Sequence, residues 1–160
     1  MRTLITLLFV LAHGTAHATA QVPDRILVDG QESQLFAEPL FPYLKQNKDS
    51  FGALMKHATQ VCSAAWRGYQ AKWEIRENQV FLVALFANPC SKESPEIPLA
   101  ELFPGASSPI PAKWYSGTLR IPQGKMLEYV HMGYQSKYER YLVLTVTDGL
   151  VTERRIEVAK

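Results

Sequence analysis

The stretch GYQAKWEIRENQVFLVALF, Gly68 to Phe86, decides the fold class. In its first half Tyr69, Ala71, Trp73 and Ile75 alternate with Gln70, Lys72, Glu74 and Arg76. That is the period of two expected of a strand with one buried and one wet face. The second half, Val80 to Phe86, is apolar on both faces and reads as a central strand covered on two sides. Glu77-Asn78 between them marks a turn, so the stretch predicts an antiparallel hairpin.

Working outward, the hairpin carries Cys62 and Cys90 onto neighbouring strand ends, and these are the chain's two cysteines. A disulfide between them is expected, and closing a loop of about 29 residues would stabilise the fold by roughly 3 to 4 kcal/mol through loop-closure entropy. Upstream, Arg25 to Val28, Asp29-Gly30 and Gln34 to Ala37 predict a short hairpin. Residues 38 to 50, with Pro39, Pro42 and a polar run, read as a connection. Phe51, Leu54, Met55, Ala58 and Val61 then fall on one helical face, predicting one short helix capped by Asp49 or Ser50. Downstream, residues 87 to 112 hold six of the ten prolines and read as a stiff loop with one short strand near Ile97 to Leu102. Four further strands are expected at residues 114–121, 125–132, 138–147 and 150–158, the last two joined by Asp148-Gly149. A strict two-residue turn there sets Leu144 against Glu153 and Leu142 against Arg155. Such pairs mix apolar and charged side chains on one face, so either a bulge shifts the register or the last strand is a charged edge. The expected fold is therefore mainly β, an antiparallel sandwich or open barrel with one short helix.

Residues 1–20 read as a secretory signal: Arg2, the apolar run Leu4 to Ala12, and the cleavage motif Ala18-Thr19-Ala20. That run is shorter than the roughly 20 residues a membrane span needs, and no later stretch exceeds it. Cleavage before Gln21 would leave a single β-rich domain, residues 21–160, in a periplasmic or secreted location with no stable membrane span. Loss of Arg2 from a chain of net charge +2 leaves it nearly neutral, which argues against nucleic acid as a partner. His57 and His131 alone remain of four histidines, too few for an imidazole-based zinc site, so no metal is expected. The chain also has no G-x-S-x-G elbow, glycine-rich phosphate loop, H-E-x-x-H or C-x-x-C, and no cofactor is expected.

The densest polar and aromatic cluster is Glu128 to Glu139. On a strand Glu128 points away from His131, whereas Glu139 reaches it if the chain turns at Gly133 and returns. One reading is thus a small hydrolase with His131 as base, oriented by Glu139. Tyr69 and Trp73, on the apolar face of the alternating strand, are expected in the core. Tyr134 and Tyr138, flanking a polar turn, are candidate recognition residues together with His131. Lys113, Arg120, Lys125 and Lys137 are interspersed with acids and read as a solvated face.

Trp66 to Ile75, Gly117 to Gly124 and Tyr129 to Glu139 resemble segments of a group of small bacterial proteins of uncharacterised activity, sharing WRGYxAxWEI and YVHMGYxSxYE. The likeness spans roughly residues 62–147 and implies no catalytic role. The leading expectation is an exported, non-catalytic binding protein, of inhibitor or immunity type. Its expected partner is a protein or cell-envelope component, met through His131, Tyr134 and Tyr138.

Overall fold

A computed structural model describes residues 20 to 159. The expected signal segment, all but its last residue, lies outside them.

The central hairpin forms as its alternation demands. Strand β3 (Tyr69–Arg76) pairs antiparallel with β4 (Gln79–Ala87), and Glu77 and Asn78 both take positive φ, 48° and 64°. Two successive left-handed residues make the tight turn whose twist matches that of the flanking strands. The inward side chains Tyr69, Ala71 and Trp73 are buried, and β4 is half-buried or buried throughout. Before this hairpin lie β1 (Asp24–Val28), β2 (Gln31–Leu35), α1 (Leu40–Gln46) and α2 (Lys48–His57). After it come α3 (Leu99–Leu102), β5 (Ile110–Pro111), β6 (Gly117–Glu128), β7 (Lys137–Thr147) and β8 (Leu150–Val158).

The strands form one mixed sheet in the order β2-β1-β3-β4-β8-β7-β6, with β5 beside β4. The mainly-β expectation holds, and the sheet stays open rather than closing into a barrel. Just past β2, Phe36 N–H donates to Arg120 O of β6 at 2.8 Å, so the two ends of the strand order meet at that point. One pairing departs from the antiparallel expectation: β1 runs parallel to β3. Parallel neighbours need a long crossover, and the segment carrying α1 and α2 supplies it.

The helical content also exceeds the single helix expected. That helix exists as α2, but α1 occupies part of the segment read as a connection, and α3 stands where a short strand was expected. Pro39 is the N-cap of α1 and Pro42 lies in its first turn, where a missing N–H leaves no hydrogen bond unmade. Asn47 separates α1 from α2, its backbone and side-chain N–H groups both donating to Tyr43 O. The two strands expected at residues 114–121 and 125–132 merge into the single β6, with register shifts between Gln123 and Glu128 where Gly124 takes a φ of 78°. In the β7–β8 hairpin a register shift between Thr145 and Val146 sets Leu144 opposite Arg154 and Leu142 opposite Ile156. Of the two alternatives the bulge occurs, whereas the charged β8 is not an edge, since it lies between β4 and β7.

One apolar core joins the sheet, through Ile26, Trp73, Leu82, Leu119 and Leu144, to the helices, through Leu40, Leu44, Leu54 and Leu102. The helices are fastened to one another by polar bonds. Tyr43 Oη and Ser50 Oγ both donate to Leu102 O, at 2.9 and 2.7 Å, and His57 Nε2 lies 2.9 Å from Glu101 Oε2. The expected disulfide is present between Cys62 and Cys90. Cys62 lies in the loop before β3 and Cys90 in the turn after β4, so the bond joins the two segments that flank the open end of the hairpin. Among the described residues no helix is long and apolar enough to cross a membrane.

Candidate functional site

The residues singled out between Glu128 and Glu139 are not brought together as one catalytic group. His131 is exposed, and its ring packs edge-on against Tyr129 with centroids 4.5 Å apart. Glu139 turns the other way, its carboxylate accepting the Lys125 N–H at 3.1 Å, while Glu128 pairs with Lys137 at 2.6 Å. Among the described residues no carboxylate bonds to His131. Tyr138 is half-buried, its ring edge-on to Phe36 at 5.8 Å and its backbone N–H donating to Tyr141 Oη.

Tyr134 points inward. Its ring stacks on Phe36 at 5.3 Å, and its hydroxyl accepts from Arg67 Nη1 and donates to Glu38 Oε1, each at 3.0 Å. It belongs to a buried polar network centred on Arg67, which has its side chain 5% exposed. Nε donates to Tyr69 O at 2.9 Å, Nη1 also reaches Glu38 at 2.8 Å, and Nη2 donates to Val22 O at 2.9 Å and to Asp24 Oδ1 at 2.8 Å. Asp24, fully buried, takes two further donors: Ala71 N–H at 3.0 Å and the Trp73 indole N–H at 2.9 Å.

The electrostatics of this network are those of a structural ion pair. Burial lowers the affinity of Arg67 for its proton, but Asp24, Tyr134, Tyr69 and Glu38 outweigh it, so the guanidinium stays charged. Burial raises the Asp24 carboxyl above its ordinary value, while Arg67 and the two N–H donors favour the ion. A protonated carboxyl would need an acceptor, and none of the atoms bonded to Asp24 is one. Burial likewise raises the Tyr134 hydroxyl, which remains a neutral donor to Glu38. With every nitrogen of Arg67 engaged, the network fixes the 58–68 loop, β1 and the 129–139 segment to one another.

The concave feature with the most apolar walls lies on the helical side. An apolar cleft of about 320 Å³ opens between α1, α2 and the end of the 58–68 loop. Its walls are Phe41, Leu44, Phe51, Met55 and Trp66, and all but Leu44 are exposed, Trp66 by 59%. This size is at the small end of the range for ligand pockets. Arg67 and Tyr69 also line the cleft, and Lys45 and Lys48 stand among its lining residues, exposed and without an ion-pair partner among the described residues. The Tyr69 hydroxyl is buried and has no hydrogen-bond partner among the described residues, a state that costs about 1 to 3 kcal/mol when left unrelieved. Burial raises this hydroxyl well above its ordinary value, so it remains a protonated donor.

Phe51, Leu54 and Met55 share the apolar face of the predicted helix, yet of the three only Leu54 is buried. Trp66 is likewise on the surface. Helical periodicity identifies an apolar face without saying whether anything covers it. Arg67, Asp24 and Glu38 gave no periodic signal and were missed. Compared with family models, curated proteins and solved structures, the chain matches none.

Proposed function

We propose that this chain is an exported, non-catalytic binding protein of the periplasm or the secreted fraction, of inhibitor or immunity type, whose partner is a cell-envelope component or protein. The observation that supports this reading best is the open apolar cleft beside Trp66, because contiguous exposed aromatic surface on a folded domain marks a contact site. The disulfide is of the kind that persists in an oxidising compartment. The separation of His131 from Glu139 leaves the hydrolase reading without its orienting carboxylate.

The test compares the full chain, expressed with its own N-terminus, with Phe51→Glu as bait for envelope extract, alongside cell fractionation and intact mass. Export with loss of residues 1–20 and capture that Phe51→Glu abolishes are expected. Cytoplasmic retention, or capture unaffected by the substitution, would overturn the reading. A second surface, favoured by the exposed Tyr129, His131 and Met132, takes the role if His131→Ala with Met132→Ala removes the capture instead.

A further inference from the structure

We infer that the cleft between α1, α2 and Trp66 holds one free single-chain amphiphile with an anionic head, an alkyl carboxylate, with its tail against Phe41, Phe51, Met55 and Trp66 and its head at Lys45 and Lys48. It rests on the binding role proposed above and specifies the ligand.

Three observations select this occupant. The walls named for the tail carry no hydrogen-bonding side chain other than the Trp66 indole. At the floor Arg67 has no free nitrogen, each being bonded within the protein. A peptide laid here would strand backbone N–H and C=O groups against apolar walls, whereas an alkyl chain has none to strand. Lys45 and Lys48 supply positive charge that is not tied up in an ion pair among the described residues, Asp49 beside Lys48 included. The charge at the mouth therefore complements an anion, while the interior complements hydrocarbon. Among the described residues the one buried side-chain polar atom without a partner is the hydroxyl of Tyr69, a cleft-lining residue 3% exposed; as a single donor it offers no ladder for a polypeptide.

The helices hold the wall open in this shape. Ser50 and Tyr43 bind one carbonyl of α3, and the Cys62–Cys90 bond fixes the loop that ends in Trp66. Substitutions at the exposed Phe51 and Trp66 therefore test the cleft without removing core.

The experiment is calorimetric titration of the full chain with octanoate, decanoate and dodecanoate below their micellar concentrations, and with decanol as the uncharged counterpart. Saturable binding is expected, tightening about fourfold per added methylene. Lys45→Gln and Lys48→Gln should each weaken the carboxylates by about two- to fivefold at low salt and leave decanol unchanged. Phe51→Glu and Trp66→Ala, shown folded by circular dichroism, should abolish or sharply weaken all of them. Several results would overturn the ligand assignment: no saturable heat with any chain length, decanol binding as tightly as decanoate, binding that persists in both cleft variants, uptake only on anionic phospholipid vesicles, or a dimer that Phe51→Glu disperses. Failure of the carboxylates while Phe51→Glu still abolishes capture from envelope extract removes this ligand and keeps the binding face. Failure of both removes the two together.

Discussion

Arg67 and Tyr134, 67 residues apart in the chain, meet at 3.0 Å, the guanidinium donating to the phenol oxygen. Arg67 lies in the stretch WRGYQAKWEI and Tyr134 in YVHMGYQSKYE. These segments are thus two halves of one buried contact, closed by Glu38 and Asp24. Removing one member of a buried pair strands the other charge. Asp24→Asn is expected to destabilise the protein by about 3 kcal/mol in urea unfolding, and Asp24→Leu with Arg67→Met by less than the sum of the two single changes.

The two tyrosines beside Arg67 should respond in opposite directions. Tyr134→Phe removes a hydroxyl that both accepts and donates and should cost about 1 to 2 kcal/mol. Tyr69→Phe removes a buried hydroxyl that has no partner and should be neutral or stabilising by about 1 kcal/mol. Thermal melts of the two variants side by side would show it, and a loss of stability in Tyr69→Phe would contradict the assignment.

Gly68 stands at φ 74°, and a Cβ built there lies 2.7 Å from Ala58 Cβ. Gly68→Ala therefore combines a left-handed backbone penalty of about 1 to 2 kcal/mol with a clash between two backbone-anchored atoms. Adding Ala58→Gly should recover the clash and leave the backbone penalty. Equal stability of single and double variants would show that the contact is not made.

The Cys62–Cys90 bond closes a separation of 28 residues. Reduction should lower the denaturation midpoint by the equivalent of about 3 to 4 kcal/mol, measured with and without dithiothreitol. It should also release the loop carrying Trp66, visible as a change in tryptophan emission.

Glu32 on β2 pairs with Lys72 of β3 at 2.7 Å and Arg25 of β1 at 2.6 Å, lacing three neighbouring strands. Lys72, with help from Arg25, holds its carboxyl below the ordinary 4.5 although burial opposes this. The stabilisation is therefore fully present above that ordinary value and is lost as pH falls through the lower folded one. The stability difference between the wild type and Glu32→Gln should be constant in neutral solution, shrink on acidification, and diminish in high salt because all three groups are exposed. A difference that grows toward low pH would reverse the sign argued here.

The legible parts of the fold were those with local causes. Alternation at Tyr69 to Arg76 and turns at Asp29-Gly30, Glu77-Asn78 and Asp148-Gly149 depend on neighbours in sequence, and all of these turns take positive φ. The parallel β1–β3 pairing is not written in either strand, because it arises only once α1 and α2 carry the chain across. Pro39 and Pro42 hid α1, since proline is a breaker inside a helix and harmless in its first turn. The polar network was illegible for a related reason: Arg67, between an exposed Trp66 and a glycine, takes its meaning from Asp24, Glu38 and Tyr134, all distant. The candidate contact face was half visible, as an apolar helical stripe whose covering the sequence left unstated.

The sheet that curls without closing has two thin seams. Between β4 and β8 the strand pairing is Gln79 with Leu150, reinforced by Val151 N–H to Asn78 O and by Val80 N–H and the Gln79 amide to Gly149 O; between β2 and β6 it is the Phe36 bond to Arg120. Under load or thermal breathing these seams part first, so the fold has a mechanical grain: two stiff panels, β2-β1-β3-β4 and β8-β7-β6, hinged along their shared core.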